Sequence, residues 1–374
     1  GLRAVTGSAS AEEFRFTIGC TAGDWNQDGF VDLISANVGI TRLYINNGDG
    51  TFAARDLDAD ADLTRMPASI SMADLNSDGL PDLFEVIYIH DRELAKPPQL
   101  NASGNVISAL GPTDFGSGID RIGMNDGSGG IIFQPISDGS GAAQNGLGVV
   151  IADLDGMPGN DVFVGNDSAP NQLWVREPES KGWSDIAVIR GAAFSYGGGR
   201  TASMGIAASA FDKSGTLDLH IANYQDESVC QYLGQQSSYQ DRAVQFGLAG
   251  PSLSVLGFGS QAIDYDNDGL PDLAVTNGHV DKFETMKGAF EQLPQLFCNL
   301  GDRFQQLEVA DPSDYWQTRH LGRSMARLDF NRDGKNDLVI THVGETSALL
   351  LNETDVSNHW LQLQLIGVQS ERDA

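Results

Sequence analysis

Residues 264–273 read DYDNDGLPDL, and this stretch decides the fold. Three other stretches repeat its pattern of Asp, Asp or Asn, Asp-Gly and Asp-Leu at the same spacing: residues 24–33, 74–83 and 329–338. Acidic side chains at alternate positions around a glycine are typical of a tight turn that folds its oxygens inward. The four copies therefore predict a repeat architecture with one acidic turn in each unit.

Two weaker copies keep the same frame. Residues 153–162 (DLDGMPGNDV) have Met-Pro where Asp-Gly is expected, and residues 210–219 (AFDKSGTLDL) begin with Ala and have Ser at the fifth position. The six first positions are 50 to 79 residues apart. This is close to the period of propeller blades.

Short apolar runs surround each copy in the same order. A Gly/Ser/Ala-rich run precedes the acidic turn, a β-type run such as DLAVTN follows it, and one or two further runs such as RLYIN come next. Four short strands per unit with little helical periodicity indicate an all-β protein. The sequence predicts a β-propeller with six recognisable four-stranded repeats, and it leaves open whether there are six or seven blades.

The composition of the chain makes some classes of binding partner unfavourable. The chain has 374 residues and a formal net charge of −28, so nucleic acid and anionic membranes are poor partners. No apolar run approaches the ~20 residues of a membrane span, and residues 1–20 lack the pattern of a signal peptide. Cys20, Cys230 and Cys298 form no C-x-x-C motif and are expected to be buried free thiols, with a single disulfide between two of them as the alternative.

The acidic turns carry the ligand chemistry of calcium. Positions 1, 3, 5 and 9 offer side-chain oxygens and position 7 offers its carbonyl, a hard-oxygen set that suits Ca²⁺ better than Mg²⁺. We expect about four to five structural ions. The candidate ligands of the four intact loops are Asp24, Asn26, Asp28, Phe30, Asp32, Asp74, Asn76, Asp78, Leu80, Asp82, Asp264, Asp266, Asp268, Leu270, Asp272, Asp329, Asn331, Asp333, Lys335 and Asp337.

The two weaker loops differ in what they can bind. The third keeps Asp153, Asp155 and Asp161, and the sequence leaves its occupancy open. The fourth keeps only Asp212 and Asp218 and is expected to be empty. Asp-Gly turns are also common in β proteins without metal, but four intact copies in register favour calcium.

The repeat resembles the FG-GAP or VCBS-type repeat of integrin α-chain propellers and many bacterial surface proteins. RLYINNGDGTF and DYDNDGLPDL are especially similar to the cartilage acidic protein group, and residues 358–374 resemble the start of its ASPIC/UnbV segment, truncated here. The propeller is expected to span residues 1–366. The resemblance implies a calcium-stabilised propeller, secreted, periplasmic or at the cell surface, that serves adhesion or assembly.

The longest connections are expected on the face opposite the calcium loops, where a partner would bind. They are unusually basic and aromatic for an acidic chain, although unrelated solvated loops would look the same. The candidate partner-binding residues are Arg92, Tyr196, Arg200, His279, Trp316, Arg319, His320 and Arg323.

Several functions fit these features. The first is an extracellular module that binds a protein or glycan partner, including as a subunit of a larger surface assembly. The alternatives are a carbohydrate-binding propeller or a polysaccharide-degrading enzyme that uses the Arg, His and aromatic side chains of the long loops. No catalytic motif of a hydrolase, metalloprotease or nucleotide-binding enzyme is present, so an enzyme is the less favoured hypothesis.

Overall fold

Six antiparallel sheets follow one another along the chain, each built from consecutive segments. The computed structural model describes residues 7–58, 60–108, 110–137, 139, 141–178, 182–235, 238–282, 288–310, 313–356, 358–361 and 363. The sheets form a six-bladed propeller with few helical turns, which confirms the predicted all-β class and repeat count.

Five blades have four strands and the sixth has three within the described residues. Blade 1 consists of β1 Thr17–Gly23, β2 Asp32–Asn37, β3 Ile40–Asn46 and β4 Phe52–Asp56, and blade 2 of β5 Arg65–Ala73, β6 Asp82–His90, β9 Arg121–Asn125 and β10 Ile131–Pro135. Blade 3 consists of β11 Gly146–Ala152, β12 Asp161–Asn166, β13 Gln172–Arg176 and β14 Trp183–Asp185, and blade 4 of β15 Gly205–Ser209, β16 Asp218–Ala222, β17 Cys230–Gln235 and β18 Ser238–Asp241. Blade 5 consists of β19 Gly257–Ile263, β20 Asp272–Asn277, β21 Gln295–Asn299 and β22 Phe304–Gln306, and blade 6 of β23 Gly322–Leu328, β24 Asp337–His342 and β25 Ala348–Leu350.

The remaining elements lie in connections between the strands of the blades. A small hairpin of β7 and β8 is inserted between the second and third strands of blade 2. These elements are β7 Gln99–Leu100, β8 Val106–Ser108, α1 Ala187–Arg190, α2 Ala249–Ser252 and the 3-10 turns Pro112–Asp114 and Tyr315–Gln317. In every blade the acidic loop joins the first strand to the second, as the sequence predicts.

Small residues in the first strands let neighbouring blades approach closely. A Cβ atom on Gly205 would overlap the carbonyl of Phe258, and one on Gly259 would lie 2.5 Å from the backbone nitrogen of Met325. The second strands are instead rich in β-branched and aromatic residues and are almost fully buried. The Gly/Ser/Ala-rich runs thus mark the strands where backbones of adjacent blades meet.

The hydrophobic core is divided into five clusters, one between each successive pair of blades. No such cluster joins blade 6 to blade 1 in the part of the chain that the structure describes. Phe330 of blade 6 is 48% exposed, and Ile18 and Leu33 of blade 1 are each 38% exposed. Blades 1 and 6 therefore each keep one face that no other blade covers among the described residues.

All three cysteines are free thiols, as predicted. Cys230 is buried and Cys298 is half-buried, but Cys20 is exposed because it lies on the uncovered face of blade 1, so its predicted burial is wrong. Residues 1–6, 362 and 364–374 lie outside the described residues. Most of the predicted ASPIC/UnbV-like segment at 358–374 is among them.

Candidate calcium loops and the opposite face

The six acidic loops share one backbone conformation at position 4. The residue there has a left-handed backbone in every loop, for example Asn267 with φ 53° and Lys213 with φ 64°. Position 6 is a glycine with φ between 80° and 94° in all loops except the third, where Pro158 takes its place and Gly159 has φ 129°. Two left-handed residues so close together turn the chain sharply and bring alternate side chains to the inside.

The first aspartate of each intact loop holds the loop together. In loop 5, the Oδ1 atom of Asp264 accepts the backbone N–H of Asp268 at 3.0 Å, and its Oδ2 atom accepts that of Gly269 at 3.0 Å. Asp24, Asp74 and Asp329 make the equivalent pair of bonds in their loops. This carboxylate thus caps the backbone N–H groups of positions 5 and 6 and holds the turn closed.

Positions 3 and 5 separate the loops into two types. In loops 1, 2 and 6 an asparagine at position 3 donates to the aspartate at position 5, as Asn331 does to Asp333 at 3.0 Å. Loop 5 has Asp266 instead, and one oxygen from each of Asp264, Asp266 and Asp268 lies within 4.8 Å of the others. Burial, then the charge of Asp268, raises the pKa of Asp266.

The ninth aspartate is buried in all six loops, and in every loop except the third it bridges the loop to the end of the third strand or to the residues just after it. Asp272 accepts the backbone N–H of Tyr265 at 3.1 Å with one oxygen and that of Asn299 at 2.8 Å with the other. Burial raises the pKa of this carboxyl to about 7 and that of its counterparts Asp82, Asp161 and Asp218 to about 6. This residue therefore has a backbone-bracing role besides any role as a ligand.

An asparagine at the end of the third strand links neighbouring acidic loops, which sequence reasoning missed. The Nδ2 atom of Asn299 in blade 5 donates to the carbonyl of Phe211 in loop 4 at 2.9 Å. Asn125 donates in the same way to Trp25 in loop 1, and Asn352 to Tyr265 in loop 5. The signal in the sequence is an Asn that recurs two residues before a glycine or threonine, but its partner lies 87 to 100 residues away.

The third loop brings together the three aspartates that the sequence singled out. Single oxygens of Asp153, Asp155 and Asp161 lie within 4.8 Å of one another, although Asp161 also accepts the backbone N–H groups of Leu154 and Asp155. Met157 offers no side-chain oxygen at position 5. The third loop thus has fewer oxygen ligands than the intact loops.

The donor set of the intact loops fits calcium. Every candidate ligand is a carboxylate, an amide oxygen or a backbone carbonyl. The N–H groups of the position-7 residues Phe30, Leu80, Leu270 and Lys335 donate to position 5, which fixes the backbone of these residues beside the acidic side chains. Carboxylates this close repel one another unless protons or a cation intervene. A divalent ion coordinated by oxygen is the cation that this chemistry favours.

The candidate residues of the opposite face fall into two groups. Arg92, Tyr196, Arg200 and Arg319 are exposed. The other four, Trp316, His279, His320 and Arg323, are buried or half-buried and hydrogen-bonded or packed within the blades.

His320 belongs to a compact aromatic cluster of blades 5 and 6. Its ring stacks on Tyr315 at 4.4 Å between centroids, and its Nδ1 atom lies 2.9 Å from the Oε2 atom of Glu345. The hydroxyl of Tyr315 is 2.9 Å from the Nε2 atom of His342. Both histidines are thus engaged by neighbours within the propeller.

A second polar series crosses from blade to blade on the same face. Tyr88 donates its hydroxyl to Asp167 at 2.9 Å, and the hydroxyl of Tyr224 lies 3.1 Å from the Nε2 atom of His279. The guanidinium of Arg323 donates to the carbonyl of His279 at 3.0 Å. Sequence reasoning identified only His279 and Arg323 among these residues, because a tyrosine near the end of a second strand shows no distinctive pattern.

A buried cluster of charged side chains lies where blades 1 and 2 meet. It was not identified from the sequence. Glu85 is fully buried and accepts from the guanidinium of Arg121, which also binds Asp58, while Arg65 lies 3.8 Å from Glu85. The hydroxyl of Thr41 donates to Glu85 as well. The charges of blade 2 are compensated by one another and by Asp58 of the connection from blade 1, and the hydroxyl of Thr41 extends the cluster into blade 1.

Comparisons with known proteins agree with the repeat and the fold. A family model described as FG-GAP-like repeat matches residues 24–85, which contain the first two acidic loops. Cartilage acidic protein 1 of Xenopus tropicalis is 25% identical over 229 residues, covering 58% of this chain and 32% of that protein. The chain therefore spans about a third of the length of this relative.

Two solved structures share the fold at low identity. One shows an Agrocybe aegerita lectin that recognises non-reducing terminal N-acetylglucosamine, with a TM-score of 0.52, 14% identity and coverage of 94% of this chain and 84% of that chain. The other is BBS1N in complex with ARL6DN, with a TM-score of 0.51, 11% identity and coverage of 91% and 80%. Together with the FG-GAP-like match, these findings confirm the repeat-propeller resemblance.

Proposed function

We propose that this FG-GAP-repeat propeller is an extracellular calcium-binding module that serves adhesion or assembly. In this proposal calcium in the intact loops is structural and holds one face of the propeller rigid. The opposite face binds a protein or glycan partner. None of the helices among the described residues is long and apolar enough to cross a membrane.

The acidic cluster of loop 5 is the observation that carries the proposal. Three carboxylate oxygens lie within 4.8 Å of one another, and the loop backbone holds them there through Asp264. Such a cluster is destabilising when ionised and empty, and a bound Ca²⁺ reverses the sign of that contribution. Loops 1, 2 and 6 repeat the same arrangement with one Asn.

The exposed residues of the opposite face supply the proposed partner surface. Arg92, Arg200 and Arg319 offer three exposed guanidinium groups on a chain with a net charge of −28. Arginine and tyrosine are enriched where proteins bind partners. We therefore place the partner contact on these arginines and Tyr196, and assign His279, His320 and Arg323 a structural role.

Thermal unfolding with metal analysis tests the calcium part. We expect four to five bound Ca²⁺ per chain and a large rise in Tm when millimolar Ca²⁺ replaces a chelator, because ligands that bind only the folded state stabilise it. Mg²⁺ at the same concentration is the control and should raise Tm much less. No bound calcium and no shift in Tm would show that the loops are ordinary turns.

A carbohydrate-binding propeller is the second candidate, favoured by the environment of Tyr196. This ring is 80% exposed, and its backbone N–H donates to Asp241 at 2.8 Å, so a braced glycine-rich loop presents an aromatic face to solvent. Exposed aromatic faces suit stacking on sugar rings. Glycan-array binding that is lost in Tyr196→Ala would support this candidate, and unchanged binding would contradict it.

A further inference from the structure

The outer edge of blade 6 differs from that of the other blades. In blades 1 to 5 a fourth strand pairs with the third, whereas no strand among the described residues pairs with the outer edge of β25. An unpaired edge presents backbone N–H and C=O groups that can accept another strand. The edge is therefore a place where an extended segment can bind.

An apolar groove of about 720 Å³ runs beside this edge, between blades 5 and 6. Its wall is formed by Leu296 and Leu307 from blade 5 and by Leu349 and Leu350 from β25, and Trp316 lines it too. A volume of this size is typical of a ligand-binding cleft. Leucine side chains on both sides favour an occupant that presents apolar side chains on one face.

The C-terminal part of the same chain has the pattern of such an occupant. Residues 361–368 read LQLQLIGV, with leucines at alternate positions and no charged residue. Leu361 is 81% exposed and Leu363 is 71% exposed in the structure. Alternating apolar and polar residues are typical of a strand with one buried face. No element of the described structure buries Leu361 and Leu363.

We propose that residues 361–368 bind in this groove as the fourth strand of blade 6. The leucines at 361, 363 and 365 would then face the groove and the intervening glutamines would face solvent. Because the segment itself carries no charge, its apolar side chains can be buried in the groove without desolvating an ion of the segment.

The connection from β25 has the right length and position. Residues 351–360 can span up to about 33 Å when extended, more than the width of a blade requires. Asn352 donates to the carbonyl of Tyr265 at 2.7 Å and Asn358 to that of Asp266 at 3.4 Å, so the connection lies on the calcium side, where β25 ends. A segment that enters the groove from that side runs antiparallel to β25, as fourth strands do in the other blades.

Charge substitutions on the two faces of the segment test the docking. Leu363→Asp with Leu365→Asp should lower Tm by about 5 °C or more, because the buried apolar area is lost. Gln362→Asp with Gln364→Asp adds the same charge to the solvent face and should change Tm by less than about 1 °C. Equal effects of the two double variants would overturn the proposal.

Photo-crosslinking identifies what fills the groove. Leu363→p-benzoylphenylalanine should crosslink within one chain to residues 296–310 or 348–351, at a yield that does not depend on protein concentration. A crosslinked dimer would show that a second copy supplies the strand, and crosslinks elsewhere would show that the segment does not dock. Either result would overturn the proposal, whether or not the acidic loops bind calcium.

Discussion

The acidic loops of blades 4 and 5 follow the same backbone path with different side chains. Both have a left-handed residue at position 4 and a glycine with φ of 80° to 84° at position 6. Loop 5 fills its inside with Asp264, Asp266 and Asp268, whereas loop 4 has Ala210 at position 1 and Ser214 at position 5. The same loop backbone is thus compatible with three acidic side chains at positions 1, 3 and 5, as in loop 5, and with only one, as in loop 4.

Loop 4 replaces acidic ligands by neutral hydrogen bonds. The hydroxyl of Ser214 lies 2.6 Å from that of Thr216, which in turn donates to the carbonyl of Gly234 at 2.6 Å. Asp218 still braces the loop against the third strand, as Asp272 does in loop 5. The comparison separates two roles: the ninth aspartate holds the blade together in both loops, and positions 1 to 5 determine whether a cation is needed.

The largest expected effect comes from removing the ninth aspartate. Asp272→Ala and Asp218→Ala should each lower stability by about 2–5 kcal/mol, because two buried backbone N–H groups lose their acceptor. The loss should occur in both loops, with calcium or with chelator, as measured by denaturant unfolding. A loss confined to Asp272→Ala in calcium would mean that this position acts only as a ligand.

The first position should distinguish the loops. Asp264→Ala should remove one bound Ca²⁺ and lower Tm in calcium by several degrees, corresponding to about 1–3 kcal/mol. Position 1 of loop 4 is already Ala210, so the control is Asp212→Ala at position 3 of that loop, which should leave the number of bound ions unchanged. Calorimetric counting of ions in both variants checks this, and an unchanged count in Asp264→Ala would contradict the assignment of loop 5.

The pattern of the sequence predicts the loops but not the contacts that hold them in place. Spacing alone locates the six turns and the candidate ligands, because these depend on residues within ten positions of one another, but it leaves six or seven blades open. The bond from Asn299 to Phe211 and the buried pair of Glu85 and Arg121 join segments that are 88 and 36 residues apart. The first contact depends on how blades stack, and the second depends on the strand register across the long insertion of blade 2, and no local pattern records either of them.

The opposite face shows the same limit. Exposed Arg92 and buried His320 both come from long polar connections that look alike in the sequence. The structure separates them because His320 packs between Tyr315 and Glu345, residues of the same two blades. Residue type and loop length predict which loops form the face opposite the acidic loops. Packing determines which side chains of those loops are exposed to a partner.

Titration of the ninth aspartates should make the stability of the protein depend on pH. This effect is smaller than those above, and it should differ between loop 5 and loop 4. Burial raises the pKa of Asp272 to about 7 and that of Asp218 to about 6, above the unfolded value near 3.9. The folded state then binds more protons than the unfolded state, so metal-free stability should fall as pH rises from about 4 to 7. Under the proposed function, a Ca²⁺ ion bound to loop 5 would hold Asp272 as a carboxylate and remove the contribution of this residue to the loss of stability.

The stabilisation by calcium should therefore increase between pH 5 and pH 7.5. The measurement is the difference in Tm between calcium-loaded and calcium-stripped protein across this range. Burial lowers the pKa of His220 to about 4, so this residue makes the protein less stable as pH falls. The effect is the same with and without calcium, so it cancels in the difference in Tm. A difference in Tm that stays constant with pH would contradict the linkage of ion binding to these carboxyls.

Rebuilding loop 4 is the finest test of the comparison. Ala210→Asp with Ser214→Asp restores positions 1 and 5 beside Asp212 and Asp218, on a backbone that already matches loop 5. We expect one additional bound Ca²⁺ and a rise in Tm of about 2–4 °C in calcium, together with a fall in chelator from the added repulsion. Ala210→Asn with Ser214→Asn adds similar volume without charge and should bind no further ion. If the acidic variant gains no ion either, Lys213 or the hydroxyl network of Thr216 excludes the metal, and ligand charge alone does not separate the two loops.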